Sequence, residues 1–143
     1  MAYRAAVDEG EMRRRVADAR VARMATIDPD GSPNVVPFVF VLDGDTLYSS
    51  VDEKPKRTRQ LRRLANLRRD PRFMVLVDQY DEDWPVVWWV RLRGRGRVLE
   101  EGAEREDALR LLAEKYPQYE HEAPQGAVVA LDVDEWRGWA YSD

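Results

Sequence analysis

Residues 86–99 read Val-Val-Trp-Trp-Val-Arg-Leu-Arg-Gly-Arg-Gly-Arg-Val-Leu, and no other stretch limits the possible folds of this chain as strongly. Val86, Trp88, Val90, Leu92, Gly94, Gly96 and Val98 alternate onto one face, with Val87, Trp89, Arg91, Arg93, Arg95 and Arg97 on the other. A period of two over this length is a long β-strand with one apolar and one cationic face. The apolar face belongs inside a barrel, and Gly94 and Gly96 let so long a strand coil tightly. Four arginines in a row repel unless they meet anions, which the sequence offers as Asp and Glu on neighbouring strands or on a second subunit. Gly94-Arg95-Gly96 is not a dinucleotide fingerprint, because no helix follows it directly.

The rest of the chain supplies partners for that strand. Met12, Val16 and Ala19 repeat at helical spacing and predict a surface helix over 9–20. Strands are expected at 21–27 and 33–42, joined by Asp28-Pro29-Asp30-Gly31, and at 46–51 after Asp43-Gly44-Asp45. A helix over 55–67 should turn Leu61, Leu64, Ala65 and Leu67 inward and stop at Asp70-Pro71. The strand at 73–80 is apolar on both faces, the mark of a barrel or interface strand. After residues 86–99 come a helix over 103–115, an irregular polar stretch over 116–126, a strand over 127–133 and a short seventh strand over 135–141. Six or seven strands, mostly in hairpins, predict a mostly-β chain: an antiparallel barrel with about three helices, closed so that few strand edges remain. The 143 residues, 44% of them hydrophobic, suit a single domain spanning 1–143.

Several functions are excluded or disfavoured. The chain has no cysteine, which removes disulfides, thiolate nucleophiles and thiolate metal sites. A net charge of -4 with mixed signs is not a nucleic-acid signature. No apolar run has the length of a signal peptide or a membrane span, so the expected location is the cytoplasm. His121 is the sole histidine, and there is no Walker loop or serine elbow. A chain this poor in acid–base groups would take its chemistry from a cofactor.

Three features could hold one. Lys54-Pro55-Lys56-Arg57-Thr58-Arg59 opens the second helix, with Pro55 suited to the first helical position and Lys54 left as the cap. Lysine offers no acceptor to the free N–H groups, and cations stand at the wrong end of the helix dipole. A bound phosphate or carboxylate would repair both defects. Capping by Asp52 or Glu53 with solvated cations is the competing reading, and the anion site is the one preferred. Second, Pro37 interrupts an otherwise convincing strand and cannot donate to a ladder, so either the strand is an edge there or something else lies beside it. Third, Trp84 in an acidic loop is the tryptophan best placed to cover a flat ring.

Met24-Ala25-Thr26-Ile27-Asp28-Pro29-Asp30-Gly31-Ser32-Pro33, then Val36-Pro37-Phe38, Lys54-Pro55-Lys56-Arg57-Thr58 and Asn66-Leu67-Arg68-Arg69-Asp70-Pro71-Arg72 together resemble the pyridoxamine 5'-phosphate oxidase-like family, whose fold is the FMN-binding split barrel. Asp78-Gln79-Tyr80, Asp83-Trp84 and Trp88-Trp89-Val90-Arg91 look like its branch that uses the deazaflavin coenzyme F420, with FMN as the alternative cofactor. The resemblance implies a homodimer with two cofactors in clefts between the subunits, acting on a small organic substrate. It implies a ring beside the backbone of Val35, Val36 and Pro37, a phosphate near Ser49, Ser50, Lys54, Lys56, Arg57 and Thr58, and Trp84 brought in from its loop.

Overall fold

The computed structural model describes residues 7–50 and 57–141, with side chains from residue 62 onward in the second segment. Seven strands form one antiparallel sheet: β1 (Ala22–Ile27), β2 (Pro33–Phe38), β3 (Val41–Asp43), β4 (Thr46–Ser50), β5 (Arg72–Gln79), β6 (Trp88–Leu99) and β7 (Val128–Ala140). Their order is β2-β1-β5-β6-β7-β4-β3. Four helices join them: α1 (Glu9–Asp18), α2 (Arg57–Arg69), α3 (Ala103–Lys115) and α4 (Gln118–His121). None of the described helices is long and apolar enough to cross a membrane.

The connection between β2 and β3 closes this sheet into a barrel. These strands are the two edges, yet only Val39 and Phe40 separate them in sequence. Laid flat, seven strands would put the edges roughly 29 Å apart. Three Cα–Cα steps reach about 11 Å at most. The edges therefore meet along a seam, and the fold is a split antiparallel barrel. The expected strand over 33–42 is accordingly two strands, broken where the chain crosses the seam.

Tyr116, at the end of α3, secures the crossing. Its hydroxyl accepts from the Phe40 backbone N at 3.2 Å and lies 2.9 Å from the Phe40 carbonyl and 3.0 Å from that of Arg20. With one proton, it donates to one of these carbonyls at a time. Replacing Tyr116 by Phe leaves a buried N–H without a partner, which should cost about 1–3 kcal/mol. A lowered urea midpoint with an unchanged slope is the expected result, and a midpoint equal to that of the wild type would remove Tyr116 from this role.

Inside, Met24, Phe40, Leu47, Val75, Val90, Leu92, Val129 and Leu131 are fully buried. β6 alternates as expected, with Val90, Leu92, Gly94 and Gly96 inward and Arg93, Arg95 and Arg97 exposed. α1 packs closer than a surface helix: Val16 is wholly buried, and Asp8 caps the helix by accepting from the Glu11 N–H at 2.9 Å.

Three further expectations need correction. The strands over 127–133 and 135–141 are one strand, β7, with a bulge where Arg93 faces Glu135 and Gly94 faces Val133. The supposedly irregular stretch over 116–126 contains the short helix α4. On α2, Ala65 is exposed, while Arg63 and Asn66 are buried beside Leu64 and Leu67. Asn66 earns its place by donating to Thr26 Oγ1 at 3.1 Å and Asp28 Oδ1 at 2.9 Å, and Arg69 donates to its Oδ1 at 3.2 Å and to the Ile27 carbonyl. The β1–β2 turn is thereby tied to the end of α2. The Leu61 side chain lies outside the described residues.

Candidate cofactor site

The seam brings together two groups of residues named from the sequence. Among the described residues β2 pairs with β1 alone and is an edge strand, so Pro37, opposite Arg23, breaks no ladder. Val35 is 61% exposed, and the outer backbone edge from Val35 to Pro37 is open to a ligand. Across the seam, Val41 pairs with Tyr48. Continuing that register places Ser49 and Ser50 level with Phe40 and Val39, immediately after Pro37 and Phe38. Both serines are buried, at 2% and 7% exposure.

Ser50 Oγ donates to Tyr119 Oη at 3.2 Å, which ties the end of β4 to α4. Burial pushes the Arg63 guanidinium below its ordinary value, and the Tyr119 phenol offsets this only in part. Arg63 is 8% exposed and its Nε has no hydrogen-bond partner. Among the described residues no carboxylate pairs with it. Lys115 is a useful contrast. Its Nζ is also without a hydrogen-bond partner and burial pulls its pKa down to about 8, but it sits 4.1 Å from the centre of the Phe40 ring and 5.3 Å from that of Tyr116. Those π faces partly replace its water. A buried guanidinium with an orphaned donor is costly unless an anion meets it.

Arg63 was missed from the sequence because a charge run on a helix usually marks its solvated face. The pattern held one clue: Arg63 precedes Leu64 and lies four residues before Leu67, on the buried stripe. Lys54 and Lys56 lie outside the described residues, as do the side chains of Arg57 and Thr58. The backbone of α2 begins at Arg57 and its first turn holds no acidic residue.

Trp84 stands apart. It is 54% exposed in a 3-10 turn (Trp84–Val86) at the tip of the β5–β6 hairpin, and its ring meets the edge of Tyr141 at 6.0 Å. The outer face of β5 leading to it carries Met74 and Leu76, 36% and 38% exposed, so only one face of this strand is buried within the chain. The β6 arginines mostly find the expected acids. Arg93 forks onto Glu135 at 2.8 and 3.0 Å, and Arg97 holds both Asp132 and Glu104. Arg97 and Tyr48 keep Glu104 down to about 2, while burial and then Glu104 push Tyr48 up to about 12. Among the described residues no cluster of His, Asp or Glu could hold a metal.

A small antiparallel barrel, split along one seam, with a buried arginine on the helix between β4 and β5, is a split-barrel fold. Residues 8–140 match the family described as Pyridoxamine 5'-phosphate oxidase, and the chain belongs to that family. No curated protein matches the sequence significantly. The fold is similar to that of the conserved hypothetical protein Rv2991 from Mycobacterium tuberculosis, at TM-score 0.78 and 21% identity over 95% of this chain and 86% of that one. A FAD-binding protein from Mesorhizobium loti matches at TM-score 0.68 and 21% identity, covering 99% of this chain and 100% of that one. HutZ, the haem storage protein from Vibrio cholerae, matches at TM-score 0.70 and 14% identity, covering 94% and 96%.

Proposed function

We propose that this protein is an oxidoreductase that passes a hydride between the deazaflavin coenzyme F420 and a small organic substrate, acting in the cytoplasm as a homodimer. The observation that carries this reading is the buried Arg63 guanidinium, with its orphaned Nε, close to the Ser50–Tyr119 pair. An anionic cofactor supplies the acceptor that Arg63 lacks. Its phosphate end would be held by Ser49, Ser50, Lys54, Lys56, Arg57 and Thr58 together with Arg63, and its ring by the open backbone edge of Val35, Val36 and Pro37. Bound there, the deazaflavin would supply the hydride chemistry that the side chains lack. The chain's own part is to fix the ring and shield it from water. The motifs at 78–80, 83–84 and 88–91 favour the deazaflavin.

A partner subunit would cover Val35 and Leu76, apolar residues exposed on one face of the chain. An obligate interface of this kind buries on the order of 2,000 Å² or more. Trp84, away from the seam of its own chain, would then serve at the subunit boundary.

FMN on the same residues is the second reading, favoured by the likeness to the Mesorhizobium loti FAD-binding protein. A haem carrier draws on the likeness to HutZ, but the sole histidine, His121, is exposed at the end of α4. Titration of the full chain with F420, FMN and haem, followed by absorbance and tryptophan quenching, tests all three. F420 is expected to bind tightest. Tighter FMN would replace the deazaflavin reading, a haem Soret band with tight binding would make the protein a carrier, and failure of all three would end the cofactor assignment.

A further inference from the structure

A cleft of about 410 Å³ opens where β1, β2, β5, β6 and the β7 bulge come together, and neither Ser50 nor Arg63 lines it. Its size suits a small organic molecule. Ala25, Ile27, Pro33 and Met74 give it an apolar wall, and Arg72, Arg93 and Arg95 give it three guanidiniums. Two of these are already neutralised. Arg72 forks onto Asp70 at 3.0 and 2.7 Å, and Arg93 forks onto Glu135. Arg95 is different. Across the sheet it faces Arg72 on β5 and Asp132 on β7. Asp132 would be its natural partner, but Arg97 holds that carboxylate at 2.6 and 3.0 Å and Thr46 donates to it at 2.9 Å. Asp134, the bulged residue, also lines the cleft and forms no ion pair with a described residue. Arg95 is thus the one guanidinium of the cleft with no carboxylate among the described residues.

We propose that this cleft binds a small monocarboxylate with an apolar body. The carboxylate pairs with the fork of Arg95, whose planar geometry matches it, and the body lies against Ala25, Ile27 and Met74. The site does not require the cofactor and stands apart from its assignment.

The probe is 2-naphthoate, titrated calorimetrically into the full chain, with 2-naphthol as a neutral molecule of the same body. Saturable binding of the acid is expected, about tenfold tighter than that of the alcohol. Arg95→Gln should weaken the acid about tenfold, equivalent to about 1.4 kcal/mol. Arg95→Lys should fall between, keeping charge but losing the fork. Asp134→Asn should tighten binding by a few fold by removing a repelling charge. Arg110→Gln, on the exposed face of α3, should change nothing. The idea fails if the wild type shows no saturable binding, if the alcohol binds as well as the acid, or if Arg95→Gln binds like the wild type. It also fails if Arg95→Gln loses F420 or FMN, because the cleft would then belong to the cofactor site.

Discussion

Gly94→Ala should lower the melting temperature by roughly 6–12 °C. A Cβ built at Gly94 would lie 1.9 Å from the Asp132 carbonyl oxygen and 3.0 Å from its carbon. Both are backbone atoms of β7, so relief requires β6 and β7 to separate at the bulge where their register shifts. Overpacking of this kind costs about 1–3 kcal/mol, and more when backbone must move. At about 2–4 °C per kcal/mol for a chain of this size, a cost of about 3 kcal/mol, at the top of that range because backbone must move, is the roughly 6–12 °C drop expected. Gly138→Ala is the matched control. Its Cβ would meet Met12 Sδ at 2.7 Å, the far end of a flexible side chain that can turn away. Its melting temperature should fall by much less. Equal losses in the two variants would show that the β6–β7 bulge is looser than its geometry implies.

The second large effect concerns Arg63. Arg63→Met should raise the melting temperature of the ligand-free protein, because a buried, incompletely bonded guanidinium is replaced by an apolar side chain of similar length. The same change should weaken cofactor binding by roughly ten- to a hundredfold, since a hydrogen bond to a charged group contributes about 1.5–3 kcal/mol. The two readouts move in opposite directions, which a purely structural arginine would not produce. If the variant melts lower and binds the cofactor normally, Arg63 serves the fold and the anion site must be sought elsewhere. Thermal melts without ligand followed by the F420 titration decide this.

Much of the barrel was legible because its signals are local. Alternation specified the long strand and its two faces from Trp88 to Leu99, whereas Val86, expected on the apolar face, lies in the 3-10 turn before the strand and is exposed. Pro37 announced an edge for a covalent reason, the missing N–H, and β2 is an edge. Asp28-Pro29-Asp30-Gly31 marked its turn, where Gly31 adopts a φ of 87°.

What tertiary structure alone decided lies wherever distant segments meet. The break at Val39–Phe40 exists because the two sheet edges converge there, and Tyr116, 76 residues further along, supplies the hydrogen bonds that make the crossing possible. Ala65 yields the buried face of α2 to Asn66 because Thr26 and Asp28 stand opposite with acceptors, which helical periodicity has no means of recording. Gly94 reads in sequence as a pliable point in a strand, but the approach of the Asp132 carbonyl makes it a position that excludes any side chain. Arg63 and Arg62 are the same residue type, adjacent in one charged run; only the packing of α2 against the barrel buries one and leaves the other in water. Sequence carries the period and chemistry of each segment, while the cost of burying a charge depends on what the rest of the chain places beside it.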